Sequence, residues 1–75
     1  MGHNVSMETT VHQRIVQARE RASMTQSELA KALGAGQPHV CRWEHGTHPR
    51  PQRIRQIAEV LGVSLAWLAI GEGKP

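Results

Sequence analysis

The chain has 75 residues and 8.3 kDa, enough for one small domain and too few for a second. It is 39% hydrophobic and 20% charged, with no run of apolar residues long enough to span a bilayer, a balance that excludes disordered, fibrous and membrane-embedded classes. Nine basic against six acidic residues give a net charge of +3, which permits a polyanionic partner without requiring one, so the positions of the charges must decide. Met1 to Thr10 lacks the basic start and apolar stretch of a signal peptide. A lone Cys41 has no partner for an internal disulfide, so a reducing cytoplasm is expected.

Residues 1–9 are polar and aperiodic and read as a flexible N-terminal tail. From Thr10, Val11, Ile15, Ala18 and Ala22 recur at helical spacing and predict a first helix with one buried stripe, capped by Thr9 or Thr10. Thr25-Gln26-Ser27-Glu28 has the form of a capping box, and Leu29, Ala30 and Leu33 supply an apolar face, so a second helix is expected over about 26–33. Gly34-Ala35-Gly36 is a turn too short to let its flanking helices be anything but angled neighbours. A third helix is expected over about 37–45, with Pro38 in its first turn, Val40 and Trp43 inward and Gly46 as terminator. After a loop at 47–51, Ile54, Ile57, Ala58 and Leu61 mark a fourth helix ending at Gly62. Ser64 caps a short fifth containing Leu65, Trp67 and Leu68, and 72–75 read as a C-terminal tail. No segment alternates with the period of a strand. The expected fold class is therefore all-α, a compact five-helix domain over 10–71.

The stretch Thr25 to Gly46, two short helices about a glycine turn, resembles the helix-turn-helix of the lambdoid phage repressor and Cro family, and the domain is identified on that likeness as lambda-repressor-like. Gln26, Leu29-Ala30, Gly34, Val40, Trp43, Glu44 and Gly46 carry the match, and Arg50-Pro51 and Gly62-Val63-Ser64-Leu65-Ala66-Trp67-Leu68 extend it. Gly36 departs from it, standing where the family often has Ser or Thr, and Pro38 replaces a usual polar residue. The resemblance implies a regulator, most often a repressor, that reads double-stranded DNA in the major groove with the helix at 37–45. It also implies a palindromic operator, a homodimer at least on DNA, a bacterial or phage source and a place among nucleoid proteins. Gln37 would contact base edges, with Pro38, His39, Cys41 and Arg42 the other residues able to reach them. Gln26, Arg19, Arg50 and Arg53 would face phosphates, Arg19 also pairing with Glu44, and Leu65 and Trp67 would join two subunits.

Three other readings are weighed against this one. Cys41 and His45 lie one helical turn apart and suit zinc, but no second close ligand pair accompanies them, so no metal is expected. Neither paired carboxylates nor a nucleophile motif is present, so neither catalysis, a cofactor nor a small-molecule substrate is expected. The same scaffold also occurs in antitoxins and other protein-binding modules, from which a basic reading face retaining Gln26, Gln37 and Arg42 together would distinguish this chain.

Overall fold

The computed structural model describes residues 9–75, and the expectations for residues 1–8 lie outside them. Five helices follow one another, α1 (Val11–Arg21), α2 (Gln26–Leu33), α3 (Gln37–Glu44), α4 (Pro51–Leu61) and α5 (Leu65–Ile70), with no strand among the described residues. Their starts are chemically marked. Thr10 caps α1 and Thr25 caps α2, each hydroxyl accepting from the amide three residues on while Gln13 or Glu28 reaches back to the cap amide, so each box satisfies two end donors. Ser64 accepts from the Trp67 amide at the start of α5. Gly36 precedes α3 with no side-chain cap bond, leaving Pro38 to fix the first turn.

Gly34 ends α2 at φ +67, a left-handed conformation open to glycine, and the next amide, of Ala35, donates back to Ala30 O at 2.9 Å. This turn brings α2 and α3 into the most extensive helix pairing of the fold, with Ala30 buried. The turn from α1 to α2 uses Ser23 at φ +58, an unusual conformation for a residue with a side chain and one that no glycine announces.

The core comprises Val11, Ile15 and Ala18 of α1, Leu29 and Ala30 of α2, Val40 and Trp43 of α3, Ile54, Ile57, Ala58 and Leu61 of α4, and Trp67 and Leu68 of α5. Two sequence expectations fail here. Ala22 is the exposed C-cap of α1 and not the end of its apolar stripe, and the stripe instead includes a charge, Arg14, only 5% exposed. Arg14 Nε donates to Leu68 O at 3.0 Å and Nη2 to Ala69 O at 3.2 Å, while Nη1 reaches Thr9 O and Oγ1. A buried cation bonded only to carbonyl and hydroxyl oxygens is held by dipoles in place of a counter-ion, and burial lowers its pKa from the ordinary guanidinium value. Thr9 is thereby tied to Arg14. Gly71, at φ +75, follows α5 where an added Cβ would lie 3.1 Å from Arg14 Nη1, so both backbone and space call for glycine.

Trp67 is the second correction. It is only 9% exposed and part of the core, whereas Leu65 is 43% exposed. α5 has six residues and packs on both α1 and α4, so the two adjacent positions Trp67 and Leu68 fill the angle between those helices and Leu65 is left outside. The end of the chain also turns back, Ser64 N donating to Pro75 O at 3.4 Å and Glu72 N to Ala66 O at 3.3 Å.

Candidate nucleic-acid interface

One edge of the molecule is built around α3. Val40 and Trp43 bury its rear, which turns Gln37, Pro38, His39 and Arg42 to solvent and leaves Cys41 half-buried beside them. A row of polar contacts fixes the near end. Arg19 Nε donates to Glu44 Oε2 at 2.6 Å and Nη2 to Oε1 at 3.2 Å, a two-pronged pair that joins α1 to the last residue of α3. Arg19 Nη1 also donates to Met24 O at 2.8 Å, in the turn before α2. Glu44 Oε1 further accepts from Gln26 Nε2 at 2.8 Å, and Gln26 Oε1 accepts a long 3.5 Å contact from Gln37 Nε2. The hydrogen bonds to Glu44 raise the Arg19 pKa, partly offset by burial.

This row orients two amides without any help from a ligand. Glu44 can only accept, so Gln26 must turn its NH2 inward, which leaves Oε1 to receive Gln37. Gln37 is the first residue of α3 and stands at its tip, where among the described residues its side chain makes only the contact to Gln26.

The sequence that folds into these two helices and their tight turn matches the family model described as Helix-turn-helix, over residues 15–68. The chain belongs to the helix-turn-helix family. Among its curated relatives is the HTH-type transcriptional regulator for conjugative element R391 of Providencia rettgeri, 37% identical over 65 residues, a match covering 87% of this chain and 30% of the relative. The HTH-type transcriptional regulator PrtR of Pseudomonas aeruginosa is 36% identical over 62 residues, 83% of this chain and 24% of the relative. DicA of Escherichia coli strain K12 is 34% identical over 64 residues, 84% of this chain and 47% of the relative. The chain thus spans less than half the length of each of these relatives. A solved structure of the P22 c2 repressor protein in complex with synthetic operator 9T superposes with a TM-score of 0.80 at 23% identity, over 87% of this chain and all of the other.

Within this helix-turn-helix domain the remaining basic residues divide. Arg50 is exposed at the N-cap of α4. Arg53 turns inward: Nη1 donates to Leu33 O at 3.0 Å and to Gln56 Oε1 at 2.9 Å, and the guanidinium lies 5.6 Å from the Trp43 ring centroid. It caps a last-turn carbonyl of α2 and covers Trp43 by a cation–π contact, so the side chain that the resemblance assigns to a phosphate is engaged within the domain. Between α3 and the start of α4 lies an open groove of about 490 Å³ whose walls include His39, Trp43, His48, Arg50 and Arg53.

Sequence reasoning missed His12, which has no motif around it. Its Nδ1–H donates to Trp43 O at 2.8 Å, satisfying a last-turn carbonyl of α3, and its ring meets that of His48 edge-on at 6.2 Å. Cys41 Sγ lies 3.6 Å from His45 Nδ1, whose proton is directed to Cys41 O at 2.7 Å, and among the described residues no group of three or more His, Cys, Asp or Glu forms a metal-binding cluster. No described helix is long and apolar enough to cross a membrane.

Proposed function

We propose that the chain is a cytoplasmic, non-enzymatic DNA-binding transcriptional regulator that represses by occupying a palindromic operator as a homodimer, with α3 in the major groove. The observation that carries this reading is the row Arg19–Glu44–Gln26–Gln37, which delivers a pre-oriented amide to the tip of the exposed helix. Gln37 Oε1 and Nε2 then suit adenine N6 and N7, Arg42 suits guanine, and Pro38 and Cys41 offer apolar contact to a thymine methyl. Gln26 and the first-turn amides of α2 suit one phosphate, and Arg50 another across the groove. The R391, PrtR and DicA names, all of transcriptional regulators, and the operator complex of the P22 protein support the same reading.

With Arg53 engaged internally and Arg19 paired with Glu44, Arg50 remains as the cationic phosphate contact of each subunit, which gives an expected log–log salt slope near −2 for a dimer at roughly −0.9 per phosphate neutralised. Titration of a labelled duplex across salt concentrations checks this, and a slope near zero would remove the DNA reading.

Burial of Trp67 moves the proposed dimer surface to the apolar residues that remain outside, Leu65 at 43%, Ile70 at 64% and Val60 at 37% exposure. Two-fold pairing there would place the reading helices roughly 34 Å apart, on successive major-groove faces. Leu65→Glu is expected to melt like the parent and bind an isolated half-site normally, yet lose cooperative binding to the palindrome. Undiminished cooperativity in a band-shift titration would rule this surface out.

A further inference from the structure

The exposed face of α3 also carries a contact between two of its outward side chains that the row of amides does not explain. Arg42 Nη2 approaches His39 Nδ1 at 3.3 Å, one turn back on the same helix. A guanidinium has donors only, so His39 Nδ1 must accept, and the imidazole is fixed as the neutral tautomer with its proton on Nε2. Whichever Nη2 proton His39 takes, the other keeps one two-pronged edge of the guanidinium intact, facing away from the imidazole. The contact therefore selects which edge of Arg42 is presented outward.

We propose that His39 is a positioning residue for Arg42, whose imidazole sets the guanidinium edge offered to a base pair and so sharpens discrimination at that pair. This rests on the DNA-binding reading above. On α3 its neighbours are Arg42 and the Trp43 ring at 6.3 Å, and across the groove stand His48, Arg50 and Arg53, with no carboxylate in the groove wall to compete for the guanidinium.

The test compares the parent with His39→Gln, which keeps an acceptor, and His39→Leu, which keeps bulk but cannot accept. Affinities are measured for a duplex enriched by the parent from a randomised pool and for its single-base-pair variants. The expected result is that His39→Leu loses roughly five- to tenfold discrimination at one base pair while His39→Gln retains it. Equal losses in both variants, or full discrimination in His39→Leu, would overturn the proposal. Imidazole 15N shifts of the free protein supply a readout that needs no DNA: the Nε2–H tautomer is expected, and an Nδ1–H tautomer would overturn the contact. Failure of the parent to prefer any duplex would instead strike the DNA reading itself and leave the tautomer result standing.

Discussion

Trp67→Ala is expected to unfold most of the protein at room temperature. The indole is a core element of α5, and truncating a buried Trp costs about 3–5 kcal/mol through lost transfer energy and the cavity left behind. A domain of this size has only a few kcal/mol of net stability, so little folded population should remain. The cavity has little means of closing, because α5 is pinned from the far side by Arg14 on Leu68 O and Ala69 O. Leu65→Ala, two positions away and largely outside, should shift the melting temperature by only a few degrees. Thermal melts followed by circular dichroism check the pair, and a Trp67→Ala midpoint within a few degrees of the parent would mean that the indole is not part of the core.

The second large effect is expected at Glu44, whose side chain is 3% exposed and whose partner Arg19 is 15% exposed. Glu44→Ala strands a largely buried guanidinium and removes the acceptor of Gln26 in one step, for which a loss of about 3–5 kcal/mol is expected. The pair itself need not be a large net stabiliser, since desolvating two charges offsets much of their attraction. The double variant Arg19→Met with Glu44→Leu separates the two ideas: it should recover most of the stability lost by Glu44→Ala and still fail to discriminate operators, because nothing then turns the Gln26 amide inward. A double variant that is both stable and fully selective would show that the row serves only to hold the helices together.

The helices and their caps were legible because each rests on local chemistry. Thr25 with Glu28, Ser64 ahead of Trp67, and Gly34 and Gly62 after the last apolar residue act within one turn of where they stand. What could not be read were choices settled by distant packing. Arg14 lies in line with Val11, Ile15 and Ala18, but nothing in the local sequence says that carbonyls 54 and 55 residues away will accept its protons. Trp67 and Leu65 are both apolar in one short helix, and which faces inward depends on the angle between α1 and α4. Arg53 looks like any cation near a reading helix until Leu33 O and the Trp43 ring are placed beside it. In the candidate site, the pattern of residues at family spacing singled out Gln26, Gln37 and Glu44, which the fold brings into one row of contacts, whereas His12 was invisible because its partner is a backbone carbonyl across the fold.

In the proposed mode of binding, α3 reads base edges from an amide held in place by Gln26 and Glu44. Selection of bound duplexes from a randomised pool, run in parallel on the parent and on Gln37→Ala, tests it most directly. The parent should enrich a two-fold symmetric site with half-sites about 10 base pairs apart, and Gln37→Ala should enrich the same site with one adenine-containing pair per half-site no longer fixed. No enrichment by the parent, or an unchanged site for Gln37→Ala, would contradict the claim.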